Sequence, residues 1–321
     1  MVEVGDWGNF LKFLGAGIAI GLGGLGSGIG MGFSAEDGVK GISIQPGANN
    51  EIFKTMLIGQ AGTGSASIFA LVIAIILVFI GTPSDLNQAF AYLSAGIAIG
   101  LGGLGSGYGA GLAGKAACEA AARQPRFNNT FLANMLVGQA VVQTPIIFAL
   151  VVSLILIFMS FPGGDLITIG ALLGAGISIG LGSIGSGIGT GMAAEDAIKG
   201  MGKKIEESGN LLKIMLLGQA VAQTPTIFAL LVSFILLFIG DKGNDLVRFV
   251  AMLSAGIAMG AGAIGPGIGS GSAAQGAAKG VSENPEATPV VMRTMLLGQA
   301  VAQSTSTYAL VIAFILIFVV K

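Results

Sequence analysis

One segment of about 80 residues is written four times in this chain, and a repeated unit of that length fixes most of what it can fold into. The tripeptide Gly-Gln-Ala begins at Gly59, Gly138, Gly218 and Gly298, spaced 79, 80 and 80 residues apart. A glycine ladder precedes each copy at matching offsets: Gly26-Ser-Gly-Ile-Gly30, Gly105-Ser-Gly-Tyr-Gly109, Gly185-Ser-Gly-Ile-Gly189 and Gly265-Pro-Gly-Ile-Gly269. Self-similarity at a fixed period marks one structural unit reused. The period exceeds that of the common soluble solenoids. Four equivalent units read as an assembly part rather than as a catalyst built round one pocket, and no catalytic site is expected in the chain.

The unit belongs in lipid. Hydrophobic residues make up 53% of the chain and charged residues only 10%, where a soluble domain carries about 25% charge. The net charge of −1 argues against nucleic acid as a partner. With no histidine, His-based metal sites and His acid–base chemistry are excluded. The lone cysteine, Cys118, has no internal disulfide partner and is expected as an inert thiol in a loop among small residues. Residues 1–15 carry Glu3 and Asp6 where a secretory signal needs positive charge, so no cleaved leader is expected there.

A membrane-spanning helix needs about 20 mostly apolar residues, and eight such runs occur. They cover roughly 10–35, 53–80, 87–115, 129–160, 167–194, 210–239, 247–275 and 290–320. They pair into hairpins 1–83, 84–163, 164–243 and 244–321. Helices are required because backbone polar groups in hydrocarbon must be satisfied within the segment. The expected class is therefore an all-α membrane protein of four tandem helical hairpins. The first helix of each hairpin is glycine-rich and the second rich in Leu, Ile and Phe. Glycine lets membrane helices approach backbone to backbone, so the first helices should form a crowded inner layer and the second should face lipid, as in a two-layered ring.

Lysine and arginine set the expected orientation. Eleven of the fifteen lie in or beside the loops inside hairpins; only Lys12, Lys242, Arg248 and Lys321 lie elsewhere. The hairpin loops should be cytoplasmic and both termini outside. The connectors Thr82-Pro-Ser-Asp85, Pro162-Gly-Gly-Asp165 and Asp241-Lys-Gly-Asn-Asp245 are short turns ending in Asp, which suits the N-terminus of the next helix as a cap and a dipole partner. Gly21-x-Gly23-x-x-Gly26 matches a dinucleotide fingerprint by letters, yet it lies inside a long apolar run with no preceding strand and reads as packing. No phosphate loop of the Gly-x-x-x-x-Gly-Lys-Ser/Thr type is present.

The combination of ladder, loop and Gly-Gln-Ala segment resembles the rotor-ring proteolipid (the c subunit) of F-type and V-type rotary ATP synthases and ATPases over nearly the whole chain. The fourth hairpin is most similar, through Gly265-Pro-Gly-Ile-Gly-Ser-Gly271, Glu283-Asn-Pro285 and Gly298-Gln-Ala-Val-Ala-Gln-Ser-Thr-Ser-Thr-Tyr308. Arg123-Gln-Pro125 resembles the family's cytoplasmic-loop signature; Gln45-Pro46 keeps part of it, and the third hairpin lacks the proline. The resemblance implies a rotor ring that turns against an a-type stator subunit, with Arg123, Gln124, Pro125, Asn284 and Pro285 docking the central stalk. It implies H⁺ or Na⁺ as the transported ion and no other cofactor.

The family's ion-carrying carboxylate should stand three residues after Gly-Gln-Ala. Those positions hold Gly64, Gln143, Gln223 and Gln303, and none of the sixteen acidic residues lies near the middle of an apolar run. The deepest, Glu36 and Glu195, sit past the ladders beside Asp37 and Asp196, as at a hydrated helix end. An amide keeps packing and hydrogen bonding and spares the roughly 2.5–3.5 kcal/mol insertion cost of a charge at mid-helix, but it has no proton to release. Pieces of a cation site remain. Thr144, Thr224 and Ser304 follow the glutamines, and Pro145 and Pro225 free the carbonyls of Val141 and Val221, with Val301 equivalent in the fourth copy. Thr190 and Ser270 on the facing helices add hydroxyls, and Tyr308 completes the motif. All these ligands are neutral, so the same groups also read as a polar knot between helices, worth about 0.6 kcal/mol per bond.

Three readings of the missing carboxylates stand: a ring that has lost translocation, a Glu→Gln variant, or a mixed ring in which a second c-type proteolipid bears the carboxylate. A structural or channel-like membrane ring unconnected to ATP is the alternative from another class. An unrelated transporter fits less well, because transporter repeats often alternate in orientation and these do not.

Overall fold

The computed structural model describes residues 4–161 and 163–320, with side chains from Trp7 onward. Glu3, the Asp6 side chain, Pro162 and Lys321, on which the leader, connector and orientation readings partly rest, lie outside the described residues.

Each copy of the repeat folds as a long inner helix, a tight turn and an outer helix. The inner helices are α1 (Val4–Ile44), α3 (Leu86–Arg123), α6 (Leu166–Lys203) and α9 (Leu246–Glu283). The outer ones are α2 (Asn49–Phe79), α4 (Asn128–Val142) with α5 (Thr144–Phe158), α7 (Ser208–Ala222) with α8 (Thr224–Phe238), and α10 (Thr288–Phe318). Among the described residues, eight spans are long and apolar enough to cross a membrane. The hairpin loops are single 3₁₀ turns, three of which start on a proline: Pro46, Pro125 and Pro285.

The inner helices outrun the apolar segments that announce them. A helix of 38 residues is about 57 Å long, nearly twice the hydrocarbon thickness of about 30 Å. Charged residues end the apolar run without ending the helix, so Glu36, Lys115 and Glu195 all lie on helix. This corrects the expectation for Cys118, which is fully buried inside α3 rather than placed in a loop.

The acidic ends of the connectors cap the helices that follow. Asp85 accepts from the Gln88 N–H, Asp165 from Thr168 and Asp245 from Val247. Lys12 and Arg248, two of the few cations at this end, serve outer-helix C-termini. Buried Lys12 donates to the Ile80 carbonyl at 3.0 Å, and Arg248 reaches the carbonyls of Leu316 and Val320. A cation against the exposed carbonyls of a helix end is favourable.

Helices α1, α3, α6 and α9 stand side by side in chain order, spaced by glycine. A Cβ added at Gly105 would lie 2.5 Å from Ile184 Cα, and one at Gly107 would lie 2.5 Å from Ser27 N. Real Cβ atoms do not approach so closely, so only glycine permits this separation. The outer helices present Leu71, Ile75, Val151 and Leu231 outward. The array has two free edges: the α3 and α6 spans are 72% buried, those of α1 and α9 only 39%.

Candidate ion site between hairpins

In hairpins two and three the outer helix breaks at the glutamine three residues after Gly-Gln-Ala. Gln143 separates α4 from α5 and Gln223 separates α7 from α8, each two residues before a proline. Without an N–H, Pro145 removes the helical donor to the Val141 carbonyl four residues back, and Pro225 removes that to Val221. Hairpins one and four have no such proline, and α2 and α10 run through unbroken.

The freed carbonyls are taken by the next hairpin, not by their own. Gln223 Nε2 donates to the Val141 carbonyl at 2.8 Å, and Gln303 Nε2 donates to that of Val221. Gln143 Nε2 reaches the Gly62 carbonyl, the equivalent place in hairpin one, at 3.2 Å. One rule covers all three seams: each glutamine grips the backbone two residues before its counterpart in the preceding hairpin. Gln143 is buried, with its Oε1 unpartnered among the described residues, whereas Gln223 and Gln303 are half-buried.

The remaining expected ligands are distributed differently. Thr144 and Thr224 are half-buried beside the breaks. The Ser304 hydroxyl donates to the Val301 carbonyl of its own helix at 2.8 Å, and Val301 and Tyr308 are exposed on the outer edge. Thr190 spends its hydroxyl on the Ser186 and Gly187 carbonyls, and the buried Ser270 hydroxyl is unpartnered among the described residues. At Gly64 an added Cβ would meet only Met31 Sδ, at 3.9 Å, so the position is open.

A second row of amides lies one helical turn earlier, at the glutamine of each Gly-Gln-Ala. Gln139 Nε2 donates to the Gly59 carbonyl at 2.9 Å and the Ala110 carbonyl at 3.0 Å. Gln219 grips Gly138 and Thr190, both at 3.1 Å, and Gln299 grips Gly218 at 3.2 Å and Ser270 at 2.9 Å. Each ties its own inner helix to the preceding outer helix, and all three are buried. Sequence reasoning used Gly-Gln-Ala as a repeat marker and missed this role; the signal was an amide kept at one place in every copy of an otherwise apolar helix. Gln60 reaches only Met31 on its own hairpin, at 3.3 Å, with no preceding hairpin among the described residues.

Charge collects where the inner helices approach their loops. A lysine of each later hairpin faces an acid of the earlier one: Lys115–Glu36 at 4.0 Å, Lys199–Glu119 at 3.9 Å and Lys279–Asp196 at 3.5 Å. Of the residues expected to dock a stalk, Arg123 is exposed and paired with Glu119, and Asn284 is exposed. Pro125 and Pro285 are half-buried at the starts of their turns. Gln124 instead joins hairpin two to hairpin three through the Gly202 carbonyl, at 3.1 Å. No cluster of three His, Cys, Asp or Glu residues suited to a metal ion occurs among the described residues. A seam of amide donors and backbone acceptors can orient, pack and hydrogen-bond, but it cannot exchange a proton.

Four helical hairpins joined by polar seams define a membrane proteolipid of repeated units. The family pattern for the C subunit of ATP synthase matches residues 14–77, 93–156, 173–236 and 253–316, one match per hairpin, and the chain belongs to that family of rotor-ring proteolipids of rotary ATP synthases. The K subunit of an A-type ATP synthase from Methanocaldococcus jannaschii is 31% identical over 71% of this chain and 96% of its own length. The ATP synthase c subunit of Alkaliphilus oremlandii is 52% identical over 27% of this chain and 94% of its own length. The c subunit from Petrotoga mobilis is 43% identical over 24% of this chain and 80% of its own length.

Proposed function

We propose that copies of this chain close head to tail into the rotor ring of a rotary H⁺ or Na⁺ ATP synthase, each hairpin (1–83, 84–163, 164–243, 244–321) serving as one rotor unit. In these units Gln143, Gln223, Gln303 and Gly64 stand where the ion-carrying carboxylate is expected. The hairpins therefore pass no ion by the carboxylate route, and the ring moves ions only with a second, carboxylate-bearing c-type proteolipid in it. The observation that carries this reading is the amide grip from Gln223 to the Val141 carbonyl, a locked, uncharged contact at the seam.

The hairpin loops face the cytoplasm on this reading, as the lysines and arginines there indicate. Arg123 and Asn284, exposed at the loops, meet the central stalk, and the outer helices meet the a-type stator subunit. Native mass spectrometry of the particle taken from its own membrane tests the assignment. Stalk subunits bound to the ring, or a second proteolipid bearing the acid, support it. A closed ring of this chain alone, without ATPase subunits, shifts the reading to a scaffold or pore.

A further inference from the structure

The two free edges of the array complement each other. Gly26, Gly105 and Gly185 lie against the next inner helix at Leu104, Ile184 and Ile264, whereas their counterpart Gly265 on α9 has nothing within 4 Å of an added Cβ. Gly107, Gly187 and Gly267 lie against the preceding inner helix, and their counterpart Gly28 on α1 is likewise open. The face left bare on α9 is thus the one that α1 is shaped to meet, so wherever two copies of this chain are neighbours in the ring these are the edges that join. Gln60 fits the same pairing: it holds one of its two acceptors, and the other, by the rule of the three internal seams, is the exposed Gly298 carbonyl of the preceding copy.

We propose that this seam between copies differs in chemistry from the three seams within the chain, having lost two of the three tethers that each internal seam carries. The inference rests on the ring reading above. The first lost tether is the site amide. Gly64 stands where Gln143, Gln223 and Gln303 reach back, so nothing extends from hairpin one to the Val301 carbonyl of the preceding copy. That carbonyl accepts only from its own Ser304 hydroxyl among side chains, whereas the matching Gly62 carbonyl accepts from both Ser65 and Gln143.

The second lost tether is the ion pair near the loops. Internal seams set Glu36, Glu119 and Asp196 against a lysine of the following hairpin. The matching places on hairpin four are Gln275, Lys279 and Gly276. The lysine that would face them, Lys40 of the next copy, meets no acid there and is held by its own Glu36 and Asp37. Of these three tethers only that of Gln60 remains, so the ring opens and closes between copies at a seam that is weak in two independent places.

The test restores each tether by a substitution the space allows. Gly64→Gln rebuilds the reach to Val301; an added Cβ there meets only Met31 Sδ, at 3.9 Å. Gly276→Asp repeats the Asp196–Lys279 pair against Lys40 of the next copy, at a place where an added Cβ meets nothing within 4 Å. The detergent-solubilised ring is heated, and intact ring and released chain are quantified by native mass spectrometry. Each substitution should raise the temperature of half-release, both together more than either, and Lys40→Ala should cancel the gain from Gly276→Asp alone. Intact rings whose release temperature does not move with either substitution overturn the seam inference. A parent particle holding a single chain overturns the ring reading itself, and the seam with it. If Gly64→Gln fails to assemble, Gly276→Asp with its Lys40→Ala control decides the matter at the other tether.

Discussion

Gln223 reaches across the seam between hairpins two and three and donates to the carbonyl that Pro225's counterpart, Pro145, has freed at Val141, at 2.8 Å. Proline and glutamine are therefore two halves of one device on neighbouring hairpins: one exposes an acceptor and the next supplies the donor. The acceptor would cost several kcal/mol if left unsatisfied in hydrocarbon, so the proline half needs the glutamine, whereas Gln143 reaches Gly62 of hairpin one with no proline there.

The same geometry gives a direct test of what an acid would do at residue 223. In Gln223→Glu a protonated carboxyl can donate to the Val141 carbonyl as the amide does, and an ionised one cannot. The variant should be labelled at residue 223 by a hydrophobic carbodiimide, which attacks the protonated acid, and labelling should fall as pH rises. Mapping the adduct by peptide mass spectrometry checks this. An adduct on the parent chain anywhere within α7 or α8 would show that the span already holds a reactive acid.

Gln219 carries two hydrogen bonds, one across the seam to Gly138 of hairpin two and one to Thr190 on its own inner helix, and Gln219→Leu removes both while keeping most of the volume. At about 0.6 kcal/mol per interhelical bond in membranes, the loss should be about 1 kcal/mol. Unfolding titrations in mixed micelles should show the variant less stable by that order. A variant as stable as the parent would mean that the Gly138 and Thr190 carbonyls lose nothing with the amide.

Gly105→Ala tests the glycine spacing. Its new Cβ would lie 2.5 Å from Ile184 Cα, so α3 and α6 must separate. Overpacking of this kind costs about 1–3 kcal/mol. Gly47→Ala, at a place where an added Cβ meets nothing within 4 Å, is the matched control and should be close to neutral. Thermal scanning of both variants in detergent compares them, and equal melting temperatures would remove the argument that glycine sets the helix separation.

The repeat, the hairpins and the inner glycine layer were all legible in the residues, because period and glycine spacing are properties of the sequence itself. So was the release of the Val141 and Val221 carbonyls, since a proline removes its own N–H wherever it stands. Which amide takes those carbonyls was not legible: the donor lies on another hairpin, about 80 residues away, and its choice depends on how neighbouring copies are staggered. The same applies to Gln124, whose bond to the Gly202 carbonyl of hairpin three could not be read from the loop motif. Cys118 was misplaced because an apolar run ends where charge begins, while α3 continues as helix to Arg123.

Acid should loosen the connector end of the array through Asp165. Burial favours the protonated form of this carboxyl. It is outweighed by hydrogen bonds from the Thr168 hydroxyl, the Asn87 amide and the Thr168 and Gly243 N–H groups, so its pKa lies below the usual carboxylate value. A group whose pKa is lower in the folded state stabilises that state fully above the unfolded-state value, about 3.9 for aspartate, and loses the contribution as pH falls through the folded value. The Asn87 bond crosses to hairpin two, and Gly243 lies in the connector to hairpin four, so the contribution holds neighbours together as well as capping α6. Asp165→Asn should therefore be less stable than the parent at neutral pH, and the gap should close as the pH is lowered below about 4. Chemical unfolding of both proteins across that range measures the gap. A constant difference at every pH would mean that the Asp165 charge contributes nothing and that only the shape of the side chain matters.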